Sequence, residues 1–440
     1  MLPLKRVLIL VENLPSPFDR RVWQEACALR DAGYVVSIIC PTGRGYERKA
    51  EAIDGIQIYR YNLPIEASGA AGYAVEYTIA LVSTFLLSWR VFFTRGFDVI
   101  HACNPPDLFF LIGGFFKLFG KKFVFDHHDL NPELYEAKFG RRDFFYRLML
   151  ALEYWTFRTA DVSIATNESY RRIAIDRGGM SSDQVFVVRS GPCLDRLQIV
   201  PADERLKRGR RYLVGYVGVM GKQEGIDYLL RAVSRIVHQL GRSDIQFGLV
   251  GGGTSLDQMK ARAVELGIAD FVTFTGRLPD REMLAMLNTA DVCVNADIAN
   301  DMNDKSTMNK IMEYMALGKP IVQFDLAEGR ISAQQASLYA KKNDAMDFAD
   351  KIVELLDDPA RRVQMGNFGR RRVTEELAWT YEVPKLLAAY AALSRSASQS
   401  SPAHPLNGDD VVSGNAHPTA TASRNLAATG LEATSGDTTI

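Results

Sequence analysis

The sequence predicts an α/β protein made of two doubly wound, Rossmann-like domains facing a central cleft. Three observations predict it. Short apolar runs alternate with longer amphipathic ones through the first 200 residues, the pattern of a parallel sheet with crossover helices. Those runs are almost wholly Val, Ile, Leu and Phe, as strands buried on both faces must be. The alternation then starts again beyond a polar, basic stretch at 201–211. Open sheets of this kind take ligands beyond the carboxyl ends of their strands, so a crevice between two of them is the expected site.

The elements follow in chain order. The first domain, 1–200, has predicted strands at 7–11, 34–40, 98–102, 123–125, 162–165 and 185–188. Amphipathic spacing predicts helices at 20–31 and 145–158. The second domain, 201–376, has predicted strands at 213–217, 245–250, 272–274, 292–295 and 321–324. Its helices are expected at 227–240, 256–266, 280–289, 308–317 and 344–357. Residues 377–393 read as a terminal helix crossing back to the first domain. From 394 to 440 the chain is rich in Ser, Thr, Ala and Gly and has no aromatic residue, which predicts disorder.

Composition excludes several functions. Lys and Arg total 52, as do Asp and Glu, so the chain lacks the positive excess that non-specific nucleic-acid binding needs. The five cysteines show no CxxC spacing, and they read as reduced thiols of a cytoplasmic protein. The apolar stretch 77–89, bounded by Glu76 and Arg90, is 13 residues long. That is short of the roughly 20 needed to span a bilayer.

Four motifs can carry chemistry. Asp126-His127-His128-Asp129 ends a predicted strand at the cleft. Successive side chains alternate there, so one histidine faces the ligand, where an imidazole can donate to a sugar hydroxyl; a loop-tying role for the pair is the plainer reading. No further His or Cys stands at metal-ligand spacing nearby. The stretch from Asn303 to Pro320 contains a helix that Ser306 or Thr307 can cap and Gly318 and Pro320 can end. Lys310 and Glu313, three apart, share its face: either a surface ion pair, or a diphosphate cation beside a ribose acceptor group at an anion-binding helix start. Gly251-Gly252-Gly253 follows a strand but lacks the third glycine of a dinucleotide fingerprint, since that position is Leu256. Gly218-Val219-Met220-Gly221-Lys222 also follows a strand, and either turns the chain or lets Lys222 meet a phosphate.

Taken together these residues resemble the GT-B glycosyltransferases, in particular the family-four retaining group that uses nucleotide-sugar donors. The resemblance spans about Lys5 to Leu393. It includes Asn13 to Trp23 in the first loop, Gly276-Arg277-Leu278-Pro279, and most specifically Glu313-Tyr314-Met315-Ala316-Leu317-Gly318-Lys319-Pro320. It implies that His128, beside Asp129, serves the donor sugar, that Glu313 holds the ribose and that Lys310 meets the diphosphate. Gly218, Lys222, Gly252, Arg277, Thr307 and Met308 complete the implied donor site. Asp19, Arg20 and Arg21, with the face near Arg141 and Arg142, are the implied acceptor side. The chain departs from the family pattern at Lys305, where the first acid of Glu-x7-Glu belongs; either Asp304 substitutes or that sugar contact is lost. It also has Val219 and Glu224 where many members carry Arg and Lys.

The resemblance implies metal-independent, retaining hexosyl transfer without a cofactor, from a nucleotide-diphosphate sugar, most simply a UDP-sugar. The implied acceptor is a carbohydrate or lipid-linked glycan in cell-surface or exopolysaccharide synthesis. Dense Trp and Phe with interspersed Lys and Arg between 89 and 142 add an expected inner-leaflet membrane surface; a plain core is the other reading. A GT-B epimerase and a non-catalytic nucleotide-sugar-binding subunit are the alternative functions.

Overall fold

The computed structural model describes residues 5–63 and 69–399. The first sheet contains β1 (Arg6–Leu10), β2 (Val35–Pro41), β3 (Ala50–Ile53), β4 (Ile56–Tyr61), β5 (Val99–Cys103), β6 (Lys122–His127), β7 (Val162–Ala165) and β8 (Val185–Val187). Their order is β3-β4-β2-β1-β5-β6-β7-β8. All neighbours are parallel except the edge hairpin β3–β4. The second sheet contains β9 (Tyr212–Val217), β10 (Ile245–Val250), β11 (Val272–Gly276), β12 (Val292–Asn295), β13 (Ile321–Phe324) and β14 (Ser337–Ala340). It is wholly parallel, in the order β11-β10-β9-β12-β13-β14.

This order fixes where ligands can bind. Strand order reverses at β1, which lies between β2 and β5, and at β9, which lies between β10 and β12. Neighbouring crossovers leave in opposite directions at such a point and open a crevice at the carboxyl ends of the strands. The loops after β1, β6, β9, β10 and β12 carry nearly every candidate residue.

The sequence reading omitted three strands. β3 and β4 are joined at Asp54-Gly55, both with positive φ, which is the backbone a two-residue hairpin requires. β14 is a four-residue edge strand. The reading also undervalued the helix Gly69–Thr94, which runs past both Glu76 and Arg90. Its segment Val75–Thr94 is long and apolar enough to cross a membrane by length and composition. Ala80 and Val91 are nonetheless buried against the first sheet, with Trp89 and Phe92 packed beside them. Most of the aromatic run is therefore core. Phe109 and Phe116 are fully buried, while Phe93 and Phe119 remain outside.

The terminal helix extends over Trp379–Gln399, so its last turns replace the start of the expected disordered tail; 400–440 lies outside the described residues. Leu386, Ala389, Tyr390 and Leu393 sit in the core of the first sheet. Tyr390 reaches His101 on β5, with 2.8 Å between Oη and Nδ1. The last helix is thus part of the first domain's interior. Leu386→Ala should lower the free energy of unfolding by about 2–5 kcal/mol, as deletion of a fully buried leucine does, measured by urea denaturation.

Candidate active site

On the first-domain side the site rests on a buried charge cluster. Arg21 extends from the helix Arg20–Asp31 to Asp126 at the end of β6, with Nη2 2.8 Å from Oδ1. The same nitrogen is 3.0 Å from Glu25, one turn along. Asp126 Oδ2 pairs with His128 Nε2, and Arg21 Nε stands 2.9 Å from that nitrogen. Burial alone would raise the Asp126 carboxyl; Arg21, His128 and His101 together hold it well below the usual carboxylate range. Burial and the Arg21 charge pull the His128 imidazole down. The Asp126 charge outweighs them and leaves His128 above its ordinary value.

His127 and His128 face opposite ways. His127 is fully buried against Phe125, Phe157 and Tyr170. The loop they begin is clamped by Asn104, whose Oδ1 accepts from the His128 N–H (2.6 Å) and the Asp129 N–H (3.1 Å). Asn104 is a positioning residue that sequence reading missed. Its only sequence signal is its place directly after β5.

Glu25, His101, Cys103 and Asp126 bring four potential ligand atoms within 4.8 Å of one another. The positive charges set against the two carboxylates are the Arg21 guanidinium, paired with both, and the His101 imidazole itself. Arg21 is therefore a buried structural cation, not an acceptor contact in the cleft. Asp19 caps the same helix through Val22 N–H, 3.2 Å away.

On the second-domain side, loops press together so closely that only glycine fits. A Cβ on Gly251 would lie 1.8 Å from Gly218 O, and one on Gly225 1.8 Å from Ala296 O. Gly251 (φ 140°) and Gly225 (φ 64°) also have positive φ. Gly252 has open space beside it. A Cβ on Gly218 would lie 2.5 Å from the Tyr216 hydroxyl and 3.2 Å from Lys310 Nζ, so its bareness leaves room first for the tyrosine. Lys222 is exposed at the rim of this loop.

Lys310 lies on the first turn of the helix Asn309–Ala316. Its Nζ is 2.7 Å from Glu224 and 3.0 Å from Asp297, and 5.0 Å above the Tyr216 ring. Burial pushes Asp297 up to about 7 despite the opposing Lys310 charge. The helix begins at Met308 without a side-chain cap. The expected caps act elsewhere. Ser306 Oγ donates to Met302 O, and Thr307 Oγ1 accepts from Asn167 of the first domain.

Glu313 lies one turn after Lys310, 15% exposed, in a four-charge cluster that bridges the crevice. Arg20 reaches it from the first domain at 3.3 Å, and Arg196 pairs with the same oxygen. Both arginines also hold Asp280, at 2.8 and 3.3 Å. Arg277 stacks its guanidinium 5.2 Å from the Phe18 ring centroid in the first loop. Arg196 and Asp280 were not legible in the sequence, because they join the site only through tertiary packing.

Asp304 is engaged away from this cluster. Its Oδ1 accepts from Ala327 N–H at 3.1 Å and pairs with Lys342 at 3.0 Å. Lys305, at the position of the missing acid, pairs with Asp301. Arg141 pairs with Asp143, and Arg142 pairs with Glu136 at a pocket that Asp301 and Lys305 of the second domain also line.

Residues 19–196 match the family described as Glycosyltransferase Family 4, and residues 211–358 match Glycosyl transferases group 1. The chain belongs to the family-four, group 1 glycosyltransferases of GT-B fold. Among curated relatives it is 26% identical over 254 residues to 2-deoxystreptamine glucosyltransferase of Streptomyces kanamyceticus, covering 55% of this chain and 63% of that one. The chain spans about three fifths of the length of the curated relatives it matches. Among solved structures, sucrose-phosphate synthase of Thermosynechococcus elongatus superposes with a TM-score of 0.72 at 19% identity, over 89% of this chain and 100% of that one. Anabaena HepE in complex with UDP-glucose gives 0.67 at 14% identity, over 89% and 99%. At these identities the likeness is one of fold.

The charge cluster makes a pH prediction. Burial opposes protonation of His101, but hydrogen bonds and charge from Asp126 and Glu25 raise it to about 9. A folded value above the unfolded one, roughly 6.5, stabilises fully below that lower value. The contribution is lost as pH rises through about 9. The urea midpoint should therefore fall between pH 6.5 and 9.5, and His101→Asn should flatten that dependence.

Proposed function

We propose that this glycosyltransferase moves a hexose from a nucleotide-diphosphate sugar, a UDP-sugar, to a hydroxyl acceptor with retention and without a metal. One observation carries the reading: Glu313 and Lys310 lie one turn apart on the crevice helix, with the partly buried carboxylate directed between the two domains. A ribose diol would donate to Glu313 in place of Arg20 and Arg196. The diphosphate would meet the uncapped helix start and Lys310, with Lys222 at the rim. As the donor's anomeric C–O bond breaks, the departing diphosphate gathers negative charge. The helix N–H groups and the two lysines stabilise it. The acceptor oxygen bonds to the anomeric carbon on the same face, and its proton passes to the leaving phosphate oxygen. His128, held by Asp126 and by the Asn104 clamp on its loop, would steady the donor sugar from the opposite wall.

The proposed setting is the cytoplasmic face of the plasma membrane, with a lipid-linked glycan as acceptor. Leu86, Phe93 and Leu118, each more than half exposed on the first domain, support a membrane-facing surface. The second reading is a binding-only subunit. It is favoured by Glu224 and Asp297, which already neutralise Lys310. UDP binding without turnover on any acceptor would select it.

Charge-assisted hydrogen bonds contribute about 1.5–3 kcal/mol each, so single losses should be readily measured. Glu313→Ala and Lys310→Ala should each weaken UDP binding and lower transfer roughly 10–100-fold. Calorimetry with UDP and a donor-turnover assay check this; unchanged values in both variants contradict the site.

A further inference from the structure

A second cavity, of about 430 Å³, opens in the first domain outside the donor site. This is within the range of roughly 300–1,000 Å³ typical of small-ligand pockets. Leu134 and Tyr135 of the helix Asn131–Phe139 form one wall. Leu148, Met149 and Leu152 of the helix Phe144–Thr159 form another. Its mouth continues onto exposed apolar surface, where Phe139 is 51% and Phe144 71% exposed.

The inner wall is polar but closed to a polar ligand. Asn131 Nδ2 donates to Asp107 Oδ2 at 2.6 Å, and Asn104 Nδ2 donates to Asp107 Oδ1 at 3.1 Å. These groups satisfy one another, so the space suits hydrocarbon better than a peptide, whose backbone would need partners. Through Asn104 this wall is tied to the His128 loop. Asn104 Nδ2 also donates to Asp129 O at 2.7 Å, and Asn104 holds the His128 and Asp129 N–H groups. One cation stands at the cavity, Lys138, which forms no ion pair among the described residues. Its charge acts on the Asp129 carboxyl.

We propose that this cavity holds the hydrocarbon chain of a phosphate-headed lipid carrying the acceptor, with Lys138 at the phosphate and the glycan directed past Asp129 toward His128. The inference deepens the transferase reading and rests on it for the identity of the lipid as acceptor. It gives the exposed apolar surface a specific use: delivery of a single chain into a cavity whose polar wall, Asp107, is hydrogen-bonded through Asn104 to the loop at His128.

The test is calorimetric titration of the full chain with dodecyl phosphate below its micelle concentration, with UDP titrated in parallel. Saturable one-to-one binding is expected, at least tenfold weaker in Leu148→Asp and in Met149→Lys, with UDP binding unchanged in both. Lys138→Ala should weaken dodecyl phosphate but not dodecanol, and inorganic phosphate alone should not bind there. Absence of saturable binding while UDP still binds would overturn the proposal. Equal affinity in both cavity variants, or association with vesicles only, would do the same. Loss of UDP binding in Glu313→Ala is a separate readout and tests the donor site alone.

Discussion

The crevice is organised around a cation that cannot be left unpaired. The Lys310 ammonium is drawn between Glu224 and Asp297 and over Tyr216, whose hydroxyl packs against the bare Cα of Gly218. Burying a lone ammonium is prohibitive, so its partners must be arranged around it. That requirement locks the loops after β9 and β12 to the start of the helix Asn309–Ala316. The glycine contacts at Gly225 and Gly251 then set how closely those loops can approach. Glu313 follows one turn later, so its position is inherited from Lys310.

The opposite wall obeys the same rule with different groups. Arg21, Asp126, Glu25 and His101 form a compensated cluster beneath the crevice, and His128 is its outermost member. Arg20 and Arg196 then join the walls through Glu313 and Asp280. A nucleotide entering this space would exchange protein ion pairs for its own. With Glu224 and Asp297 set against Lys310, the protein's own groups balance that charge.

Much of this was legible in the sequence, for definite reasons. Strands buried on both faces leave continuous apolar runs, so nearly all the inner strands were readable. The hairpin β3–β4 was not, because the edge strand Ala50–Ile53 is short and half exposed and Gln57 and Arg60 break the apolar run of the inner strand Ile56–Tyr61, although Asp54-Gly55 announced the turn. Glu313 and Lys310 were readable because their spacing and helix lie within one short motif. Arg21 was assigned to the cleft together with Arg20. On a helix, adjacent residues point about 100° apart, and that rotation sends Arg20 to the crevice and Arg21 into the core. Asp304 shows a similar effect, since its carboxylate is turned toward Ala327 and Lys342 rather than Glu313.

The most direct test is a crystal structure of the full chain with UDP. The account predicts the diphosphate at the first turn of Asn309–Ala316, with Lys310 within hydrogen-bonding reach and Glu313 on the ribose hydroxyls in place of the two arginines. Nucleotide density elsewhere, with Glu313 still held by Arg20 and Arg196, would contradict it.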